Sequence, residues 1–301
     1  MYDASDPRAS LSAAPKATPT PTAGFAGAEY ARFYDEEPQE EGPEGRTWYV
    51  CGQNFIVAYT EAEPGATFSR DAQPDEYVVL IPDAETSIEI SAGSETLTIP
   101  GNSLAFVPPG ISTVKVPTGG RIVRLFTVRS EDLVSKCANA ESYAVPRSNI
   151  PPFAPWPAPR DGYRIRAYSL DVPPQPGRFG RIFRCTTFMV NILDPQVGPR
   201  DITKLSPHHH DDFEQGSLAL EGSFTHHLRW PWTTNMNHWR EDEHAFCASP
   251  SVTVIPPPAI HTSRGMEAGV NQLVDIFCPP RIDFSEKPGW VLNADDYPMP
   301  R

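Results

Sequence analysis

The sequence predicts an all-β fold with two barrels in one chain. Short runs of β-branched and aromatic residues recur from Thr47 onward, and Pro, Gly, Asp or Asn turns separate them at short intervals. This spacing is typical of sandwiches and barrels. Helical periodicity is weak, and Glu131–Cys137 is the best candidate for a short helix. The 301 residues are enough for two domains that each bury a core.

The predicted strands form two series that look like divergent copies. The first comprises Thr47–Val50, Phe55–Tyr59, Glu76–Ile81, Ser87–Ile90, Leu97–Ile99, Ser103–Val107 and Ile122–Val128. The second comprises Tyr163–Ser169, Arg181–Leu193, Gln215–Leu220, Phe224–Trp230, Ser251–Ile255 and Gln272–Phe277. In each series one strand ends in Val or Ile followed directly by prolines. A repeat of about 150 residues predicts duplication of one barrel.

Composition predicts the domain boundaries. Residues 1–44 combine an Ala/Pro/Thr stretch with an acidic run, and such a segment buries too little apolar surface to offset its chain entropy. We expect a mobile arm there, with the alternative that its aromatic residues dock on a neighbour. The prolines of residues 145–162 predict a stiff linker. The N-terminal barrel is then predicted at 45–144 and the C-terminal barrel at 163–301.

Charge and cysteine content exclude several classes of protein. The net charge of −13 argues against nucleic acid as a partner, because phosphate neutralisation needs clustered Lys and Arg. An anionic small-molecule substrate stays compatible, since a metal reverses the local field. Five widely spaced cysteines without a CxxC pair favour a reducing cytoplasm over a disulfide framework. No apolar run predicts a membrane span, and the N-terminus does not read as a signal peptide.

The run from Pro207 to Gln215 carries most of the chemical information. Alternate residues of a strand share a face, so His208 and His210 can both project into a barrel while His209 points away. His261 follows a proline-rich turn later in the chain, and all eight histidines lie between His208 and His261. Three imidazoles and one oxygen donor form a compact set for a first-row divalent metal.

This spacing resembles the two motifs of the cupin superfamily. The first family motif runs His-x-His, Glu and Gly at set intervals, and its matches here are His208, His210, Gln215 and Gly222. The second motif ends Pro-x-Gly-x-x-His, and Pro256 to His261 match it with Pro258 in place of glycine. The resemblance implies two cupin barrels, of the double-stranded β-helix or jelly-roll type. It also implies one metal centre in the C-terminal barrel, and a homodimer.

The fourth ligand has two candidates. The family's usual Glu falls on Gln215 when counted back from Gly222, whereas Glu214 fits the shorter gap from His210. Simple alternation from His210 favours Glu214 unless a turn intervenes. We predict that Gln215 is the ligand, because the N-terminal copy uses the longer gap.

The N-terminal copy retains the framework of the motifs without their histidines. The alignment puts Ser69 and Asp71 at the paired histidines, Glu76 at the fourth-ligand position and Thr113 at the last histidine. Hydroxyls and carboxylates make a poor transition-metal site. We therefore predict that this half is structural or shapes the dimer.

A site of three histidines and one glutamine carries no negative charge, so a divalent ion there keeps its full charge. With iron, we predict a dioxygenase acting on a small oxygenated carboxylate or aromatic substrate, and this is the first choice. With manganese, nickel or zinc, the alternative is a redox-neutral lyase, isomerase or hydrolase of a small polar metabolite. A non-catalytic, ligand-binding bicupin is a third class, and the intact histidine set counts against it.

Four further residues are candidates for catalysis. Asp212, Glu214 and His226 can each act as a general base if they face the metal. Arg264 lies three residues after His261 and is a candidate anchor for a substrate carboxylate, with a surface ion pair as the equal alternative.

Overall fold

This computed structural model describes residues 24–300 of the chain. They contain twenty-one β-strands and two short helices. The prediction of an all-β fold is confirmed. The predicted helix after the first strand series is present and shorter than expected. Neither helix in the described range is long and apolar enough to cross a membrane.

The first half contains eleven strands and one helix. They are β1 (Glu29–Arg32), β2 (Glu40–Gly42), β3 (Gly45–Cys51), β4 (Phe55–Ala62), β5 (Ala66–Gln73), β6 (Tyr77–Ile81), β7 (Ile88–Ala92), β8 (Glu95–Ile99), β9 (Ser103–Val107), β10 (Gly110–Val116), β11 (Gly120–Thr127) and α1 (Glu131–Val134). A 3₁₀ turn at Ala140–Tyr143 follows.

The second half contains ten strands and one helix. They are β12 (Arg166–Ser169), β13 (Arg181–Arg184), β14 (Met189–Ile192), β15 (Gln196–Val197), β16 (Gln215–Glu221), β17 (Ser223–Arg229), β18 (Glu243–Ala248), β19 (Ser251–Ile255), β20 (Ile260–Gly265), β21 (Val270–Phe277) and α2 (Ile282–Ser285). A 3₁₀ turn, Met236–His238, interrupts the loop between β17 and β18.

Each half pairs a large antiparallel sheet with a small one. In the first half the orders are β12-β9-β6-β11-β4-β3-β2 and β5-β10-β7-β8. In the second half they are β1-β19-β16-β21-β14-β13, with β15 added on β21, and β18-β17-β20. The two large sheets share one apolar core, where Val57 and Leu104 belong to the same cluster as Val252 and Ile276.

Burial patterns explain why some strands are easier to detect in the sequence than others. Central strands of the large sheets are covered on both faces, and all five residues of β6 are buried. Such strands read as continuous apolar runs. Small-sheet strands have one face in solvent and alternate, as in β7. Four small-sheet strands, β5, β10, β18 and β20, were not predicted, because their polar faces dilute the apolar signal.

The two halves exchange their first strands. Part of the segment 1–44, which was predicted to be a mobile arm, is therefore folded. The described part of 1–44 contains β1, which pairs with β19 so that Tyr30 lies opposite Thr253. Phe25 and Phe33 are buried. Residues 24–32 therefore pack on the C-terminal half, because an open sheet edge supplies the hydrogen bonds and apolar surface that the segment lacks alone. The later strand β2 pairs with β3 of the N-terminal half. Residues 1–23 lie outside the described range.

The reciprocal exchange involves β12. Tyr163–Ser169 was predicted to begin the second barrel, but β12 pairs with β9 of the first half, with Ala167 opposite Ala105. The proline-rich residues 145–162 before it contain no strand or helix. Each large sheet is thus completed by a strand from the other half.

A buried glutamate of the first half forms hydrogen bonds with residues of the second half. Glu76 lies directly before β6, and its Oε2 accepts hydrogen bonds from the backbone N and the Oγ1 of Thr186, both at 2.9 Å. Its Oε1 accepts from the Tyr297 hydroxyl at 2.7 Å. Burial raises the pKa of this carboxyl. Glu76 therefore joins the halves and does not lie at the counterpart of the fourth-ligand position, where the alignment placed it.

A glutamate of the second half forms the equivalent hydrogen bonds with residues of the first half. Glu214 lies directly before β16 and accepts from the backbone N of Gln53 at 2.6 Å and from the Tyr143 hydroxyl at 3.0 Å. Arg147 adds an ion pair at 2.5 Å. Burial is again the main cause that raises the pKa of the carboxyl, and Arg147 opposes it. The duplication thus extends to a pair of reciprocal glutamates.

Replacing Glu76 with alanine is expected to destabilise the whole protein. It leaves three buried donors on Thr186 and Tyr297 without their acceptor, which costs about 3 kcal/mol. Glu76→Gln keeps one acceptor oxygen and should lose less. Urea denaturation followed by fluorescence measures both, and equal midpoints for Glu76→Ala and the parent protein would contradict the assignment.

Candidate metal centre

His208 and His261 lie directly opposite each other on neighbouring segments. The backbone N of His208 donates to the carbonyl of His261 at 3.1 Å, and the backbone N of His261 donates back at 2.7 Å. Directly paired residues of an antiparallel ladder project to the same face. The ring centroids are 4.3 Å apart, so β20 and the segment before β16 bring the two imidazoles together.

His210 completes a cluster of three imidazoles. Its ring centroid lies 5.1 Å from that of His208 and 5.2 Å from that of His261. One ligand atom from each ring falls within 4.8 Å of the others. Among residues 24–300, no second cluster of three or more His, Cys, Asp or Glu side chains meets this criterion. The sequence pattern therefore located the cluster correctly.

The protonation of the rings suits a metal ion. Burial, followed by the Arg281 guanidinium, holds the pKa of His210 well below its usual range. The Nδ1 atoms of His208 and His261 lie 2.9 Å from the carbonyls of Ser206 and Ala259. A carbonyl only accepts, so each Nδ1 carries a proton, and in the neutral ring the lone pair is on Nε2. A neutral imidazole binds a metal through a lone pair, and in the neutral form His208 and His261 carry it on Nε2. The Nε2 of His210 donates to Gln215 Oε1, so an ion bound there would displace that proton.

Gln215 adds an oxygen beside the rings. Its Oε1 lies 3.0 Å from Nε2 of His210. Its Nε2 donates to Ser217 Oγ at 3.1 Å and to Asp275 Oδ1 at 3.0 Å. Both hydrogens of the amide are therefore occupied on the side away from the histidines, and the oxygen faces the rings.

Glu214 does not reach this cluster, so its predicted role as a general base or fourth ligand is wrong. Its carboxylate points to the N-terminal half, as described above. Residues 211–214 form a bend between His210 and β16, and this bend breaks the simple alternation that favoured Glu214. Gln215 is the residue that faces the histidines.

Asp212 and Arg264 also lie away from the cluster. Asp212 is exposed. Arg264 sits on the opposite face of β20 from His261, and its Nε donates to the Arg200 carbonyl at 3.4 Å. Neither residue lines the cavity described below. Their predicted roles as base and substrate anchor are therefore not supported. For Arg264 the reason is strand alternation, since a residue three positions after His261 faces the other side of β20.

His226 lies on the inner face of β17 and is 1% exposed. Its Nδ1 is 2.8 Å from the Oγ of Ser263, which is the residue opposite it on β20. Burial, followed by the nearby His261, lowers the pKa of His226 to about 3. The ring is therefore neutral at physiological pH. Of the four catalytic candidates, His226 is the one that faces the same interior as the cluster.

A cavity of about 360 Å³ opens onto the cluster. His208, His261, Gln215 and Asp275 form part of its wall. Three cationic side chains, which the sequence analysis did not single out, also line it: Arg178, Arg200 and Lys204. Arg200 is held by the carbonyl of Ser263 at 3.0 Å. No motif marks these cations, since they come from irregular segments that converge only in the folded chain.

Asp275 was also not predicted as part of the site. It is 7% exposed and lies in the middle of β21, between Val274 and Ile276, which are both fully buried. A carboxylate within an apolar strand needs a buried partner, and this was the available signal. Its Oδ1 also accepts from Ser217 Oγ at 3.2 Å.

Strand register identifies the residues of the first half that correspond to the site. Val107 and Ile255 both end a strand before a proline turn, and they pair with Tyr77 and Gln215 respectively. Tyr77 is therefore the counterpart of Gln215, one residue later than the alignment placed it. Its hydroxyl lies 3.0 Å from the Oγ of Ser112.

The other aligned residues of the first half are displaced as well. Ser69 and Thr113 pair with each other, but Ser69 is exposed and both lie on the outer face of the small sheet. Asp71 is exposed too. A register shift between Gly110 and Ser112 moves the inward position by one residue.

No protein-family model and no curated protein matches the sequence. Solved structures do match it. An oxalate decarboxylase from Lactobacillus farciminis, in a formate complex, is 14% identical with a TM-score of 0.58 over 87% of this chain and 89% of that one. AerE from Microcystis aeruginosa is 10% identical with a TM-score of 0.55 over 81% and 97%. The fold is that of the cupins. A single-residue variant of the Bacillus subtilis oxalate decarboxylase shares this cupin fold at 12% identity, with a TM-score of 0.56 over 87% and 80%.

Substitutions at the two adjacent residues before and within β16 should have different consequences. Gln215→Ala removes the oxygen beside His210 and is expected to lower metal affinity by about 10- to 100-fold. Glu214→Ala breaks the contact with the N-terminal half and should mainly lower the melting temperature. Metal titration and thermal unfolding of both variants test this. If Glu214→Ala lost metal affinity and Gln215→Ala mainly lost thermal stability, the two roles would be reversed.

Proposed function

We propose that the protein is a mononuclear metal enzyme that acts on a small carboxylate. The observation that carries this proposal is the cluster of three imidazoles beside a cavity that His208 and His261 line together with three cations and two acidic residues. The cluster supports binding of a divalent ion, and the cations support an anionic substrate. The cupin fold seen in the similar structures is compatible with both.

The proposed ligands are His208, His210, His261 and Gln215. A divalent ion held only by neutral ligands keeps its full charge, so that when bound it acts as a Lewis acid on a carboxylate or carbonyl oxygen. Manganese, iron, nickel and zinc all suit imidazole and amide donors.

Substrate binding is assigned to the cationic side of the cavity. Arg178 and Arg200 present guanidinium groups that match carboxylates in geometry, and Lys204 adds a third positive charge. A volume of about 360 Å³ is at the small end of ligand pockets and suits a short-chain acid. These residues replace Arg264 as the proposed anchor.

We assign His226 a positioning role. Its neutral ring holds the Ser263 hydroxyl at 2.8 Å, and Ser263 lines the cavity. The hydroxyl is thereby directed within reach of a bound acid, where it can donate to or accept from an oxygen of the substrate. His226 itself stays behind Ser263 and away from the substrate.

The proposed reaction is a redox-neutral cleavage or rearrangement of the acid, such as a decarboxylation. Lewis-acid chemistry of this kind needs only the groups described. Two of the similar structures are oxalate decarboxylases, and one of them is a formate complex. The dioxygenase predicted from the sequence is the competing reaction, and dioxygen dependence separates the two. The predicted homodimer and the cytoplasmic location stay predictions.

The ligand assignment is tested with single alanine variants. His208→Ala and His261→Ala should each lose bound metal, measured by elemental analysis after purification without added metal. Thr113→Ala is the matched control, because it changes the aligned residue of the other half, and it should retain full metal content. Metal retention by either histidine variant would remove the basis of the proposal.

The reaction class is tested with dioxygen. Protein purified without added metal is screened against short mono- and dicarboxylates, including oxalate, in aerobic and anaerobic buffer. Equal turnover in both, with manganese, nickel or zinc bound, is the expected result. Bound iron with oxygen uptake that matches substrate loss would establish the dioxygenase instead.

The anion site is tested by charge removal. Arg178→Gln and Lys204→Gln should each weaken oxalate binding several-fold in isothermal titration, because each removes one positive charge from the cavity. Arg229→Gln is the control, since Arg229 is exposed and pairs with Asp242 outside the cavity. An equal loss of affinity in all three variants would show a general charge effect rather than a site.

A further inference from the structure

We infer that Asp275 sets the orientation of the Gln215 amide and is the reason that this position holds an amide rather than the carboxylate usual in the sequence motif. The inference deepens the proposed function and rests on it where metal binding is concerned. Its structural part, the pairing of Gln215 with Asp275, is testable in the metal-free protein.

The contacts around Gln215 allow one orientation of its amide. Gln215, Ser217 and Asp275 are 4%, 1% and 7% exposed, so water competes poorly for their hydrogen bonds. The Nε2 group donates one hydrogen to Asp275 Oδ1 and one to Ser217 Oγ. Reversing the amide would set Oε1 against a carboxylate oxygen at the 3.0 Å that now separates Nε2 from Oδ1. Asp275 therefore keeps Oε1 on the side of His210.

The same geometry excludes glutamate at this position. A carboxylate on residue 215 would have oxygen in place of Nε2, with no hydrogen to donate to Asp275 or Ser217. Two buried acceptors would then face each other at hydrogen-bond distance, which destabilises the folded state. Gln215 and Asp275 thus act as a matched donor and acceptor pair on neighbouring strands, since Ser217 lies directly opposite Asp275 on β21.

The N-terminal half shows what happens at these positions when the amide is missing. Tyr77 replaces Gln215, and the register of β6 with β11 makes Arg124 the counterpart of Asp275. Arg124 is 7% exposed, and its guanidinium lies 4.1 Å from the ring centroid of Phe68. The buried carboxylate therefore accompanies the amide in one half and is replaced by a cation in the other.

A double-mutant cycle tests the pairing in the metal-free protein. Gln215→Glu alone should lower the melting temperature by at least about 3 °C, because it sets acceptor against acceptor. Gln215→Glu combined with Asp275→Asn exchanges the two groups and restores a donor between them. The double variant should therefore regain most of the loss. A melting temperature equal to the sum of the two single effects would overturn the inference.

Metal affinity tests the orientation itself. Asp275→Asn lets the Gln215 amide point either way, and the affinity for Mn²⁺ and Zn²⁺ should fall about 10- to 100-fold in chelator competition. Ser217→Ala removes one acceptor but leaves the carboxylate, so its loss should be smaller. Asp275→Asn affinity within twofold of the parent would contradict the inference.

The controls separate this inference from the proposed function. If His208→Ala retains metal, the metal site is wrong, while the melting-temperature cycle still decides the pairing. If His208→Ala loses metal and Asp275→Asn does not, only the orienting role of Asp275 fails. Should Asp275→Asn be too unstable to purify, Ser217→Ala and the double variant still give the sign of the coupling.

Discussion

The alternation of side chains at the start of β16 is the constraint on which the site depends. Glu214 and Gln215 are neighbours in sequence, and their side chains leave opposite sides of the chain. Glu214 is anchored to Gln53, Tyr143 and Arg147 of the N-terminal half. That contact holds the beginning of the strand against the other half, and Gln215 is thereby held against His210. A slip of one residue would turn Glu214 toward the histidines and Gln215 toward the N-terminal half, and both sets of contacts would be lost.

The two halves share a scaffold and differ in the chemistry of their interiors. Both keep a glutamate before the central strand that accepts from a backbone amide and a tyrosine of the other half. The residue after it is tyrosine in one half and glutamine in the other. The inner position on the last strand is Arg124 in one half and Asp275 in the other. A buried guanidinium repels a second cation, so the interiors of the two halves differ in their electrostatics.

Local patterns in the sequence predicted most large-sheet strands, though not β1, β2 or β15, and the histidine cluster. Both leave a short-range signal, a continuous apolar run in one case and a His-x-His spacing in the other. The N-terminal alignment failed by one residue, since the shift between Gly110 and Ser112 leaves no mark in composition. Arg264 was misassigned because distance along the chain from His261 says nothing about the face it occupies. Arg178 and Lys204 reach the cavity from loops, and no periodic pattern connects them to the histidines. Only the folded chain brings these distant segments together.

The charges around the cavity give a physical reason for an anionic substrate. The amide is neutral, and of the two acidic residues in the wall, Asp275 is engaged by Gln215 and Ser217 and Asp194 lies 3.9 Å from Arg181. A divalent ion at the cluster would therefore add to the positive charge of Arg178, Arg200 and Lys204 rather than cancel it. Positive charge of this density in a partly enclosed space is costly until a counter-charge enters. A short carboxylate provides that charge, and its binding and the binding of the ion are expected to strengthen each other.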